Sequence, residues 1–270
     1  MSLLAPDIRL PKPSAGTKRM PHLSLDTHMK DYRNAYVFSP HFDDAVLSMG
    51  SLMTSLLTHG LSVTVVTFFT KGSSLNSPLT RKLLTQARSL SAASYFAKRK
   101  AEDQKALAAI GTLKIKNFSL VDAAWRSKEQ LALYPETTLA IEHAHDRETR
   151  KAVQEAIQTL SLEKKQTLIF APLGLGKHID HVIVRDAATV FAQTIFYADF
   201  PYSHRYDLTD DFVTKNHLTM VQWEQGDYTK KRAALFAYQS QYASFFEKGD
   251  LPLVYETFAL SRRIASELQK

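Results

Sequence analysis

From residue 34 onward, short apolar runs alternate with amphipathic stretches. Ala35-Tyr36-Val37-Phe38 is an apolar run stopped by Ser39-Pro40, which predicts a first strand. Residues 45–59 place Val46, Met49, Met53 and Leu56 on one helical face, and Gly60 supplies a stop. Leu61 to Phe69 is rich in β-branched and aromatic residues and predicts a buried strand. Residues 80–110 read as a long helix ending at Gly111, Ile115 to Val121 as a strand, and residues 148–161 as a helix. Thr167 to Ala171 gives another strand, closed by Pro172, and Ile183, Ala187, Val190 and Phe191 mark a further amphipathic helix. Strand alternating with helix predicts an α/β fold with a parallel sheet covered on both faces. In such sheets the ligand crevice lies beyond the carboxyl ends of the strands.

The first thirty or so residues do not share this pattern. Pro6, Pro11, Pro13 and Pro21 punctuate them and no period is sustained, which predicts an extended or flexible arm over residues 1–33. The remaining 34–270 read as one domain. Asp7 and Arg9 interrupt any apolar core of a secretory signal, and no apolar run reaches membrane-spanning length. Both observations point to the cytoplasm.

Composition narrows the chemistry. With 44% hydrophobic and 23% charged residues, the chain is not disordered over most of its length. It has no cysteine, which excludes disulfides, thiolate catalysis and zinc fingers. A metal site must therefore use His, Asp and Glu. The net charge of +7 favours anionic partners, but weakly. Residues 71–105 carry Lys71, Arg81, Lys82, Arg88, Lys98, Arg99, Lys100 and Lys105 against Glu102 and Asp103. A solvated helix face is the ordinary reading of such a stripe, and an acidic ligand or nucleic acid is the alternative.

Two segments stand out. Ser39-Pro40-His41-Phe42-Asp43-Asp44 follows the first strand, and Gly174-Leu175-Gly176-Lys177-His178-Ile179-Asp180-His181 follows the strand that ends at Ala171. Each places a His and a second polar group three residues apart at the entry to a helix, where they share a face. Alone, each motif is more often a surface pair, and Asp43 or Asp44 can equally cap the helix that follows. Their conjunction at matching strand ends points to a metal site. Two His and one or two Asp with an open position suit a catalytic zinc. A carboxylate beside the metal can serve as general base.

These residues resemble the zinc-dependent de-N-acetylase family named for the enzyme that deacetylates N-acetylglucosaminyl-phosphatidylinositol (PIG-L), also called LmbE-like. Pro40-His41-Phe42-Asp43-Asp44 and His178-Ile179-Asp180-His181 match its two motifs. The strand Val65 to Gly72, the Arg99-Lys-Ala-Glu102-Asp103 helix, Phe118 to Asp122, Tyr197 to Tyr202 and the stretch from Lys231 to Gln241 resemble further family segments. The likeness covers roughly residues 35–260. It implies a Rossmann-like three-layer sandwich with a mostly parallel sheet. It also implies a hydrolase that removes acetyl from an N-acetylated amino sugar or glycoconjugate, using zinc or another divalent metal.

Residue by residue, the resemblance makes His41, Asp44 and His181 the metal ligands and Asp43 the base that activates water. His178 would steady the oxyanion or protonate the leaving amine, and Asp180 would orient a neighbouring imidazole. Arg99 and Asp122 would hold sugar hydroxyls, although Arg99 can equally pair with Glu102 or Asp103 on its own helix and Asp122 can be a turn residue. Tyr202 and His204 are rim candidates. Lys231, Tyr238 and Gln241 read as structural, and His59, His143 and His145 receive no chemistry. Ala45 departs from the Asp-Asp-Glu continuation of many members, which leaves the subfamily and the substrate open.

Three rival readings remain. An amidase on a larger thiol or antibiotic conjugate would keep the metal and change the bond. A metal-free protein binding through the basic helix would lose the reaction altogether, and the intact ligand set argues against it. Gly174 and Gly176 form only part of a dinucleotide fingerprint, which disfavours a nicotinamide enzyme. The sequence does not give the oligomeric state.

Overall fold

The computed structural model describes residues 20–21, 31–139, 146–160, 162, 166–204, 206–208, 211–223, 226–241 and 255–268. Most of the 1–33 arm, as well as His143 and His145, lies outside them. The chain begins its sheet with β1 (Asn34–Ser39), then α1 (Asp44–Thr58), β2 (Ser62–Lys71), α2 (Pro78–Gln86), α3 (Ala92–Ile110) and β3 (Lys114–Val121). A short hairpin of β4 (Ser127–Lys128) and β5 (Leu131–Ala132) follows, then α4 (Asp146–Gln158), β6 (Thr167–Pro172), α5 (Ile179–Ala188) and β7 (Thr194–Tyr197). The last described elements are α6 (Asp211–Lys215), β8 (Thr219–Trp223), α7 (Tyr228–Leu235), β9 (Glu256–Leu260) and α8 (Arg262–Leu268).

Seven strands form one sheet in the order β3-β2-β1-β6-β7-β9-β8. The first five are parallel, and β9 runs antiparallel to both its neighbours. Alternation along the strands decides which helices cover which face. Ala35, Val37, Leu168 and Phe170 turn to α1, α3, α7 and α8, where they meet Val46, Met53, Leu107, Leu235 and Ile264. Phe38, Ile169 and Ala171 turn the other way, onto Val153, Ile157, Ile183 and Val184 of α4 and α5. The result is the expected three-layer, mostly parallel α/β fold. A third apolar cluster, Phe42 with Ala87, Tyr95, Phe96, Ala124 and Trp125, joins α2 and α3 to the loop after β1.

The strand order reverses between β1 and β6, since the chain first winds outward to β3 and then returns to the far side of β1. Loops after these two strands diverge from the sheet and leave a crevice between them. Both motif segments sit in this crevice.

Two helix expectations are corrected. The helix expected over 80–110 is two helices. Ser77 and Ser91 each accept the N3 backbone N–H in a capping box, with Pro78 at the first position of α2, and the chain turns between them at Arg88 with φ 49°. The helix expected to reach Phe191 ends at Ala188, and Val190 lies beyond it, 75% exposed. The basic stripe is likewise not one surface. Lys98 donates from Nζ to the Ala87 carbonyl at 2.6 Å, capping the end of α2, and Arg99 turns inward and is buried.

Candidate metal centre

His41, Asp43 and Asp44 are placed by the turn from β1 into α1. Ser39 stabilises that turn, donating from its hydroxyl to the His41 carbonyl at 2.7 Å and accepting the Ala45 N–H at 3.1 Å. The Asp44 carboxylate accepts the His41 backbone N–H at 2.8 Å, which brings the two side chains together. Asp43 stands just before the helix but makes no side-chain cap bond, and its φ is 97°. A non-glycine residue in that region costs on the order of 1–3 kcal/mol and persists only where its surroundings hold it. The Asp43 N–H donates to Asp103 Oδ1 at 3.2 Å, and Arg99 Nη2 donates to both the Phe42 carbonyl (2.6 Å) and Asp43 Oδ2 (2.9 Å). These bonds exclude simple helix capping as the role of Asp43.

The second segment enters from β6. His178 precedes α5, and its Nδ1 accepts the Asp180 backbone N–H at 3.2 Å. That bond leaves the His178 proton on Nε2. His181, one turn into α5, meets the Asp44 carboxylate, with Nε2 3.4 Å from Oδ2. His41 Nδ1 lies 3.2 Å from the same oxygen. Ligand atoms of His41, Asp44 and His181 all fall within 4.8 Å of one another. Each ring presents one nitrogen to this point and gives its other nitrogen to a buried carboxylate. His41 Nε2 is 3.0 Å from Asp180 Oδ2, and His181 Nδ1 is 2.5 Å from Asp199 Oδ1. Asp199 is itself fixed by the N–H groups of Gly174 (2.7 Å) and Leu175 (3.0 Å). Histidines that ligate metals are oriented in this way.

His41, His178 and Asp180 also lie within 4.8 Å of one another. That grouping fits a cation less well. Asp180 Oδ2 already accepts the Ala123 N–H at 3.0 Å, and Oδ1 is bonded by Arg126. Asp180 also does not line the cavity. The first grouping does, in a cavity of about 210 Å³ walled by His41, Asp43, Asp44, Arg99, Asp122, His178 and His181, with Leu79, Leu83, Tyr95, Phe200 and Tyr202 around them.

Electrostatics separate the two adjacent carboxylates. Asp44, facing His181 and His41, is held well below the usual carboxylate range despite its burial. Burial pushes Asp43 up to about 7, assisted by the neighbouring Asp44 and opposed by Arg99 and His41. A cation beside Asp44 would offset the repulsion from that carboxylate and lower Asp43 from there. Burial and the neighbouring His41 and His181 rings depress His178 well below an ordinary histidine.

Arg99 lines the cavity, but its bonded Nη2 serves Asp43 and Phe42, not Glu102 or Asp103. Glu102 accepts from Ser240 instead, and Asp103 accepts the Tyr238 hydroxyl at 2.7 Å. Asp122 also lines the cavity, 3.6 Å from His41 Nε2, while its Oδ1 accepts the Ala124 N–H. Tyr202 forms part of the wall, edge-on to His181, and Gln241 reaches the wall as well. The side chain of His204 lies outside the described residues. Sequence reasoning gave no role to Asp199 or Arg126, and offered Asp103 only as an ion-pair partner for Arg99. Asp199 sits inside the Tyr197–Tyr202 segment quoted for the resemblance; an acid one residue past a strand-like run was the available signal.

The comparisons with known proteins agree with this architecture. The family described as GlcNAc-PI de-N-acetylase (PIG-L) matches residues 36–192. The chain is 25% identical over 239 residues to 2'-N-acetylparomamine deacetylase of Niallia circulans, covering 81% of this chain and 84% of that protein. The protein of the same name from Streptomyces fradiae is 27% identical over 177 residues, or 64% of this chain and 58% of that one. Among solved structures, the zinc-inhibited form of a teicoplanin deacetylase superposes with a TM-score of 0.70 at 20% identity, covering 84% of this chain and 97% of that one. A deacetylase of the A40926 pseudoaglycone gives a TM-score of 0.67 at 21% identity, with 85% and 97% covered. Among the described residues, no helix is long and apolar enough to cross a membrane.

Proposed function

The chain belongs to the GlcNAc-PI de-N-acetylase family, and from that premise we propose that it hydrolyses the acetamide of an N-acetylated amino sugar or its glycoconjugate, at a divalent cation held by His41, Asp44 and His181. The observation that carries this reading is the convergence of those three side chains on the wall of one cavity, beside Asp43. The donor set, two imidazoles and one carboxylate, suits zinc, with other divalent metals as alternatives. The two curated relatives are deacetylases of an N-acetylated amino sugar, which supports that substrate class.

A bound divalent cation supplies Lewis acidity to the amide carbonyl and makes water a stronger acid. The protein's own groups do the rest. Asp43, a buried carboxylate on the cavity wall beside the proposed cation, takes the proton from the attacking water, and its burial makes it a stronger base than an exposed carboxylate. Arg99 holds Oδ2 of that carboxylate and so fixes its direction. His178 enters neutral, with its proton on Nε2, and donates that hydrogen bond as negative charge grows on the carbonyl oxygen. The proton gathered on Asp43 then passes to the departing nitrogen, so acetate and a free amine leave. In this scheme His178 serves the oxyanion and Asp43 serves the amine.

Elemental analysis of the purified chain tests the site, and acetate release from a panel of N-acetylated amino sugars tests the reaction. We expect about one zinc per chain, absent in Asp44→Ala, and acetate release that depends on the metal. A wild-type chain that takes up no divalent metal would sink this reading.

A further inference from the structure

Outside the cavity lining lies a buried arginine between two carboxylates, and the reaction scheme above does not use it. Arg126 follows β3 and its short 3-10 turn, and is only 7% exposed. Its Nη2 bonds Asp180 Oδ1, and its Nη1 lies 3.4 Å from Asp146 Oδ1. Asp146 opens α4 and also accepts the Tyr134 hydroxyl. The guanidinium lies over two aromatic rings, 5.5 Å from the centre of Phe69 and 5.6 Å from that of Tyr134. Asp180 and Asp146 are both fully buried.

Stability alone does not account for such a group. A buried ion pair is often no better than an apolar replacement of similar volume, because desolvation offsets the attraction. What Arg126 does have is direction. It occupies Asp180 Oδ1 and leaves Oδ2 to face the His41 ring and accept from Nε2. With its proton on Nε2, His41 presents a lone pair at Nδ1, the nitrogen that faces Asp44 and His181.

Resting on the cation site read above, we propose that Arg126 is a positioning residue: through Asp180 it fixes the orientation and tautomer of His41, and so sets the affinity of the His41–Asp44–His181 site for a divalent cation. Asp146 and Tyr134 are the clamp that keeps the guanidinium in line. Arginine suits this task and lysine does not, because only the planar fork spans both carboxylates. The chain of contacts runs from α4 through Arg126 and α5 to the loop after β1, so it couples elements that no single loop joins.

The test is zinc affinity of the full chain, measured by competition with a chromophoric chelator. The samples are wild type, Asp44→Ala, Arg126→Met, Arg126→Lys and Lys128→Met, which removes an exposed cation two residues away. Asp44→Ala should lose the metal, and Lys128→Met should bind as wild type does. Arg126→Met should bind about 10–100-fold more weakly, the usual effect of removing an outer partner of a ligand, and Arg126→Lys should fall between. In the zinc-loaded protein the His41 Nε2–H proton should resonate downfield, as a hydrogen bond to Asp180 requires, and move upfield in Arg126→Met. A merely structural role would lower the melting temperature and leave that signature unchanged. Equal zinc affinity in wild type and Arg126→Met overturns the role of Arg126 while the cation site stands. No zinc uptake by wild type overturns both. If Arg126→Met does not fold, Arg126→Lys decides: several-fold weaker binding supports the proposal, and wild-type binding overturns it.

Discussion

Helix α1 breaks its regular geometry at Met49, where φ is −146°, and the N–H groups of Ser51 and Leu52 turn to a side chain. Glu256 on β9 accepts them at 2.7 and 2.8 Å, one on each carboxylate oxygen. Lys231 of α7 completes the arrangement with Nζ 2.7 Å from Glu256 Oε1, and both side chains are almost fully buried. Lys231→Met leaves the carboxylate buried but still bonded to two amides. Breaking a buried pair costs about 3–5 kcal/mol, so the lower end, about 3 kcal/mol, applies here. For a chain of this size that is a fall of about 6–12 °C in melting temperature. Glu256→Leu is the harsher change. It strands two amides, at about 1–3 kcal/mol each, as well as a buried ammonium. Its total approaches the whole stability of an ordinary domain. Chemical denaturation of both variants, of Glu256→Gln and of Lys231→Met/Glu256→Gln measures these costs. The double variant should be more stable than the sum of the separate changes predicts, because no lone charge remains. A cost below about 1 kcal/mol for Lys231→Met, or strict additivity in the double variant, refutes the reasoning.

Three further outcomes follow from the site. Asp43→Asn should retain zinc and lose about 10²–10⁴-fold in turnover, seen as metal content against acetate release; near-wild-type rates would remove Asp43 as the base. Asp103, pushed up to about 6 by burial, holds a proton in the folded chain that the unfolded chain releases near pH 4, so its contribution to stability is full below pH 4 and lost as pH rises through 6. Asp103→Asn keeps an Oδ1 acceptor for Asp43 and Tyr238, and in the metal-free protein it should gain about 3 kcal/mol on wild type between pH 4 and 8; parallel denaturation curves across that range would contradict this. Gly176 has φ +73°, and an added Cβ would stand 2.5 Å from Tyr202 Cδ1. Gly176→Ala should therefore push Tyr202 off the cavity wall, raising KM and costing about 1–2 kcal/mol of stability by denaturation.

The residues that were legible are those whose partners are local or whose position the sheet dictates. His41 and Asp44 are three apart after a strand closed by Pro40, and His178 and His181 are three apart after one closed by Pro172, so alternation alone sends both pairs to one edge. Asp180 shows the limit of that reasoning: the imidazole it meets is His41, 139 residues away, and no spacing announces it. Arg126 stands in a polar stretch, Arg126-Ser-Lys-Glu-Gln, that reads as surface, and only the fold shows that its first residue is buried. The split between α2 and α3 was missed because neither Gly nor Pro marks residues 87–91. The signal lay in Ser91 and Ser94, a capping box built from two serines, where a Glu or Gln is the usual third-position partner. The antiparallel entry of β9 between β7 and β8 is a long-range pairing that the strand–helix rhythm cannot encode.

That entry of β9 bears on how the protein comes to be made. Glu256 bonds the amide of Ser51 across 205 residues of sequence. During synthesis, at about 5–20 residues per second, the first helix is on hand for about 10–40 seconds before its anchor has been translated. Over that interval the amides of Ser51 and Leu52 have only water in place of the Glu256 carboxylate. The helix that opens with Asp44 is therefore tied to the sheet by Glu256 only after β9 has been translated, and a growing chain stalled short of residue 256 lacks that anchor.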